Sequence, residues 1–209
     1  MTVSSSHGVV PAPAARATRG ALAPLGRALS GAGVTPNAIT VLGVLLTIAG
    51  ATLIALERPL VALLVLVAGS LADTLDGVVA RARGGGTKVG AFLDSTADRV
   101  ADAAVFTAAA WVGSVRADVV LLWAALLAMS ASSLVPYVRA KTESLGVSAT
   151  VGPAPREARL VIVLAGIAGW AVLGSITPFT AAVAAVAILA IITLVQRATA
   201  VIRSIAREQ

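Results

Sequence analysis

From about residue 38 to the C-terminus, apolar runs long enough to cross a bilayer, roughly 20 residues each, follow one another with only short breaks. In hydrocarbon every backbone polar group must be satisfied within the protein, so spanning segments are helices or closed barrels. The apolar residues here are continuous rather than alternating, which disfavours a barrel and implies an all-α, polytopic membrane protein. Only 12% of the 209 residues are charged, about half the share expected of a soluble domain.

The turn signals divide this region into six spans, at about 38–56, 60–82, 88–113, 119–142, 157–174 and 179–203. Gly33 to Asn37 opens the first, with Thr35 or Asn37 as cap and Pro36 suited to a helix start. Glu57-Arg58-Pro59 and the stretch from Gly113 to Asp118 form outer turns, and Ser175 to Pro178 turns into the sixth span. Arg83-Gly84-Gly85-Gly86-Thr87 reads as a flexible loop. Pro136 falls near the end of the fourth span and is expected to bend it. Residues 1–13, rich in Pro, Ala and Ser, read as a disordered leader without a signal-peptide apolar stretch. Residues 14–34 read as a juxtamembrane amphipathic surface helix, leaving 35–209 as the six-helix domain.

The net charge of +6 raises the question of nucleic acid, but the placement of the charges answers it. Of the basic residues, thirteen fall on one side of the six-span topology and two, Arg58 and Arg116, on the other; Arg99 lies within a span. This is the positive-inside pattern, and it places both termini in the cytoplasm of a cell-membrane protein. Some of these cations will also meet anionic headgroups.

The available chemistry is narrow. There is no cysteine, and the only histidine is His7 in the leader. Thiolate nucleophiles, cysteine–zinc sites and imidazole catalysis are thereby set aside. What remains is carboxylate, guanidinium, amine, hydroxyl and backbone.

Five of the ten acidic residues lie between positions 73 and 102, inside segments that otherwise read as spans: Asp73, Asp76, Asp94, Asp98 and Asp102. One ionised carboxylate in a bilayer costs at least about 2.5–3.5 kcal/mol on insertion scales. Several together repel one another unless they are protonated or share a cation. Asp73 and Asp76 are three apart and Asp94 and Asp98 four apart, so each pair lines one face of its helix. The two helices are consecutive and antiparallel, and both pairs stand about two turns from the Gly-rich loop. Four carboxylates converging there make an oxygen-rich site suited to magnesium, manganese or calcium, and poor for zinc or copper. Gly77 and Ala80 permit close approach to the backbone, Arg81 lies one turn nearer the loop, and Thr87 adds a hydroxyl. Divalent metals with Arg81 and Thr87 would suit a diphosphate.

Read together, these residues are Asp73-x-x-Asp76-Gly77-x-x-Ala80-Arg81, eight residues, then Gly90-x-x-x-Asp94-x-x-x-Asp98. This resembles the signature of the CDP-alcohol phosphotransferase family at every defining position. The resemblance implies a six-helix membrane enzyme, usually homodimeric, with a two-metal site (Mg2+ or Mn2+) opening to the cytoplasm. By position it implies Asp73, Asp76 and Asp94 as ligands of one ion and Asp73, Asp94 and Asp98 of the second, with Asp98 also the general base. It assigns Gly77, Arg81, Thr87 and the turn Thr35-Pro36-Asn37-Ala38 to the cytidine diphosphate. The implied reaction is attack of an acceptor hydroxyl on the β-phosphorus of CDP-diacylglycerol, with release of CMP.

The acceptor is read from the basic ends of the last three spans, where Arg139, Lys141, Arg156, Arg159 and Arg197 would hold a phosphate if they converge. Tyr137-Val138-Arg139-Ala140-Lys141 with Glu143, Arg156, Arg159-Leu160 and Gln196-Arg197 resemble the actinobacterial phosphatidylinositol-phosphate synthases within the family. That resemblance implies inositol 1-phosphate as acceptor, its phosphate held by Arg139, Arg156 and Arg197. The order of Arg139 and Lys141 is the reverse of the usual one there, with charge kept. Glycerol 3-phosphate, the acceptor of phosphatidylglycerophosphate synthase, is the enzymatic alternative, and a divalent-cation transporter the non-enzymatic one. A transporter would need polar groups deep in several spans, whereas here the acidic residues concentrate in two.

Overall fold

The structure is a computed structural model that describes residues 23–146 and 156–208. Every regular element among the described residues is a helix. Residues 23–31 form α1. It is followed by α2 (Pro36–Ala55), α3 (Pro59–Ala82), α4 (Lys88–Val115), α5 (Val119–Ser144), α6 (Arg156–Leu173) and α7 (Thr177–Glu208). The six helices read from the sequence are therefore present, with ends within a few residues of those expected. The leader, and residues 14–22 of the expected surface helix, lie outside the described residues.

Four helices have the length and apolar character to cross a membrane: Pro36–Ala55, Pro59–Ala82, Val119–Ser144 and Thr177–Ala206. The other two are set apart by charge. α4 carries Asp94, Asp98, Arg99 and Asp102 along its middle, and α6 has Arg156, Glu157 and Arg159 in its first turn. Large apolar side chains stand exposed on the long helices, among them Leu42, Leu45, Leu64, Trp123 and Ile188. That is the expected outer surface when the surrounding medium is hydrocarbon.

The described residues fall into two compact units, one ending at Ala108 and one beginning at Ala109. In the first, Thr35 caps α2 by accepting from the Ala38 amide at 3.2 Å, and Pro36 supplies the first turn. α2 closes through Glu57, whose φ of 56° lets Arg58 N donate to Leu53 O at 2.9 Å, and Pro59 starts α3 at once. The tight turn makes α2 and α3 an antiparallel pair.

Small residues set how closely that pair packs. A Cβ on Gly43 would lie 3.3 Å from Gly69 O, and one on Gly69 would lie 3.2 Å from Gly43 O and 3.0 Å from the Thr47 hydroxyl. Backbone meets backbone here, one turn before Asp73. Gly69→Val should therefore force the helices apart, with an overpacking cost of about 1–3 kcal/mol. A lower thermal midpoint in detergent, together with weaker cation binding at Asp73, is the expected result. An unchanged midpoint would refute the contact.

The end of this pair is built on a small apolar core. Ile39, Ala72 and Val79 are buried together, with Leu29, Val34 and Leu75 packed against them. Leu29 comes from α1, whose Gly26 backbone sits so close to Val78 that a Cβ there would lie 2.5 Å from Val78 Cγ1. The described part of α1 is thus seated on α3. Beyond α3 the loop uses Gly84 and Gly85 at φ 94° and 120°, a conformation that side-chain-bearing residues rarely adopt. Thr87 then accepts from the Gly90 amide at 3.0 Å and caps α4.

In the second unit, Asp118 caps α5 through the Leu121 amide at 2.9 Å and accepts from the Thr180 hydroxyl of α7 at 2.8 Å. α7 packs on both α5 and α6. Gly166 and Gly169 allow the close approach of α6 to Pro178 and Ala182, and the Trp170 and Phe179 rings stack with centroids 5.7 Å apart. Pro136 stands inside α5 as expected.

Candidate active site

Three of the four carboxylates read as ligands come together. Asp73 and Asp76 of α3 and Asp94 of α4 each offer an oxygen, and these oxygens lie within 4.8 Å of one another. The spacing of three on α3 puts its two carboxylates on one face, and the short glycine loop returns α4 alongside. Asp76 is buried, Asp73 half-buried and Asp94 exposed. Asp98, one turn further along α4 and half-buried, stands outside this group of three.

Asp76 is held from α2. The Thr40 hydroxyl donates to Asp76 Oδ2 at 2.5 Å, in a buried contact between residues 36 apart in sequence. Sequence reading did not single out Thr40. The available signal was its position one turn after Pro36, on the same helix face as the turn assigned to the nucleotide.

Beside the carboxylates lies a cavity of about 390 Å³, within the range typical of small-molecule sites. Thr35, Pro36, Asn37, Gly77 and Thr87, all assigned to the cytidine diphosphate, line it, as do Asp76 and Asp94. Gly90 also faces it, and a Cβ there would meet the Thr87 hydroxyl at 3.2 Å and Asn37 Oδ1 at 3.5 Å. Ala38 is not part of the lining; its amide is used by the Thr35 cap. Arg81 is not part of it either, and its guanidinium lies 3.5 Å from where a Gly77 Cβ would be. Arg83, Gly85 and Gly86 from the loop contribute instead.

The second unit contains the basic residues read as an acceptor pocket. Arg197 of α7 donates to Val135 O at 3.3 Å, next to Pro136, and Arg139 and Arg159 both act on it electrostatically. Arg159, which is buried, donates to the Ser132 hydroxyl at 3.1 Å. Arg139 is exposed and paired with Glu143 at 2.9 Å. Arg156 opens α6 and is half-buried. Arg139 and Arg159 thus stand near enough to Arg197 for their charges to act on it.

A divalent cation fits the first unit on the chemistry of its donors. The group is all carboxylate oxygen, has no nitrogen or sulfur donor, and gathers negative charge that has to be balanced where it stands. Fold and site together define a helical membrane protein with a hard-cation centre beside a ligand cavity. The chain belongs to the CDP-alcohol phosphatidyltransferase family, whose model matches residues 33–198.

Members with assigned names agree. The phosphatidylinositol phosphate synthase of Mycobacteroides abscessus is 38% identical over 180 residues, covering 85% of this chain and 82% of that one. A crystal structure of the Mycobacterium tuberculosis phosphatidylinositol phosphate synthase with CDP-DAG bound is similar with a TM-score of 0.79. It is 34% identical and covers 86% of this chain and 92% of that chain. The same enzyme in complex with manganese and citrate gives a TM-score of 0.78 at 34% identity, over 86% and 88% of the two chains. The chain is accordingly a metal-dependent phospholipid synthase of the membrane.

Proposed function

We propose that this enzyme transfers the phosphatidyl group of CDP-diacylglycerol to inositol 1-phosphate, giving phosphatidylinositol phosphate and CMP. The observation that carries this reading is the convergence of Asp73, Asp76 and Asp94, of which Asp76 and Asp94 line the cavity together with the Thr35–Asn37 turn and Gly77. The names of the relatives, one of them solved both with CDP-DAG and with manganese, support it.

In this reading all six long helices span the membrane, both termini and the site face the cytoplasm, and the protein is a homodimer. The positive-inside charge distribution supports the orientation. α4 and α6 cross despite their charges because the carboxylates of α4 face a cation and the charges of α6 stand at its end. α1 lies along the cytoplasmic surface.

Thr35, Pro36, Asn37, Gly77 and Thr87 hold the cytidine diphosphate, with Arg81 nearby, while the acyl chains stay in the bilayer. Asp73, Asp76 and Asp94 would hold one Mg2+ or Mn2+ ion and Asp73, Asp94 and Asp98 a second. When bound, such ions offset charge on the diphosphate and the leaving group. Asp98 accepts the proton of the acceptor hydroxyl. The hydroxyl oxygen bonds to the β-phosphorus, the bond from that phosphorus to the bridging oxygen breaks, and CMP leaves with that oxygen. Arg139, Arg156 and Arg197, with Arg159, hold the acceptor's phosphate through charge-assisted hydrogen bonds.

An acceptor panel tests this directly. The purified protein, given CDP-diacylglycerol and Mn2+, should release CMP with inositol 1-phosphate and not with free inositol or serine. Turnover with glycerol 3-phosphate alone would reassign the acceptor. Cation transport without CMP release would overturn the enzymatic reading. Arg197→Ala should raise the KM for the acceptor about tenfold or more, the loss of one charged hydrogen bond. The KM for CDP-diacylglycerol should hardly change. An unaltered acceptor KM would discredit the phosphate pocket.

A further inference from the structure

Helical threonines usually turn their hydroxyl back to the carbonyl four residues earlier. Thr47, Thr52 and Thr74 of the same unit do so, at 2.9, 2.9 and 3.1 Å. Thr40 is different. Its hydroxyl is 3.1 Å from Pro36 O but only 2.5 Å from Asp76 Oδ2 on another helix. A hydroxyl has one proton, and an ionised carboxylate is the stronger acceptor, so the proton goes to Asp76. Thr40 is itself buried and lines the cavity.

We infer that Thr40 is a positioning residue for the cation site, its hydroxyl fixing the Asp76 carboxylate so that it faces Asp73 and Asp94. This rests on the proposed function in so far as that function needs a cation at these residues. Asp76 belongs to a group whose charges repel one another. Left to itself, its carboxylate would turn away about the Cβ–Cγ bond. The bond from Thr40 opposes that rotation and comes from α2, whose backbone is pinned against α3 at Gly43 and Gly69. A ligand orientation defined before the cation arrives costs less to bind, because less freedom is lost on binding. The preceding turn of the helix carries Thr35, Pro36 and Asn37, so Thr40 also joins the cavity wall to the cation ligands.

The test uses the full-length protein in detergent without nucleotide. Mn2+ affinity is measured from the free-ion electron paramagnetic resonance signal, and the thermal midpoint is measured without metal. Thr40→Val replaces the hydroxyl by a methyl of similar size, and Thr40→Ser keeps the hydroxyl. Thr40→Val should weaken Mn2+ binding by about 10–100-fold, the usual effect of removing a ligand's supporting hydrogen bond. Thr40→Ser should restore affinity to within about threefold of wild type on the same reasoning. If Thr40→Val does not fold, Thr40→Ala carries the same expectation without a methyl against the carboxylate.

Wild-type affinity in a folded variant lacking the hydroxyl would overturn the inference. So would Thr40→Ser binding as poorly as Thr40→Val, since shape rather than the hydrogen bond would then matter. A wild-type protein that binds no Mn2+ at all would instead sink the cation site itself and the function proposed on it.

Discussion

Asp94→Asn is expected to leave less than about one-thousandth of the CMP release while the protein without metal becomes no less stable. The two halves of this result have one cause. Asp73, Asp76 and Asp94 bring their oxygens within 4.8 Å of one another, and without a counter-ion their charges repel. Asparagine keeps the shape and removes one charge, so the repulsion falls. The same change takes a charged ligand from a hard cation, for which a neutral amide oxygen is a poorer donor. A catalytic site commonly trades stability for function in this way. Thermal unfolding with and without Mn2+ separates the terms. Wild type should gain stability on adding the ion, about 2.7 kcal/mol at a hundredfold excess over Kd. Asp94→Asn should show little of that gain. A variant that is stabilised by Mn2+ as much as wild type would show that Asp94 is not a ligand.

Asp98→Asn should lower kcat by about 10²–10⁴-fold, the usual contribution of a general base, while CDP-diacylglycerol binding partly survives. Asp98 lies on α4 one turn beyond Asp94, half-buried and outside the close group of three carboxylates. That separation makes different consequences expected for the two residues. On the proposed mechanism Asp94 would assemble the site, whereas Asp98 would act when the acceptor's proton leaves. Equilibrium binding of CDP-diacylglycerol, measured beside single-turnover CMP release, distinguishes them. Retained turnover would remove Asp98 as the base.

The helices and the acidic pairs were legible because each depends on local spacing. Pro36, Pro59 and the glycines of the 83–87 loop mark helix ends wherever the chain is read, and three- or four-residue intervals fix which carboxylates share a face. Asp73, Asp76 and Asp94 meet as that spacing implied. Thr40 was not legible, because its contact with Asp76 depends on how closely α2 packs on α3 at Gly43 and Gly69. The direction of Arg81, which lies beside Gly77 rather than along the cavity, depends on side-chain rotamers that sequence does not specify. Arg159 was visible as one cation among several. Its burial against Ser132 is a product of tertiary packing around α5. The count of spans shows a further boundary. Four helices are long and apolar enough to cross a membrane, while the charges of α4 and α6 keep them from meeting that measure.

The most direct measurement is CMP release from CDP-diacylglycerol by the chelator-treated protein as Mn2+ is added back, with inositol 1-phosphate present. Release should be absent at the start and return along a saturable curve in wild type, but not in Asp94→Asn. Full release before any divalent ion is restored would contradict the carboxylate-held cation on which the account depends.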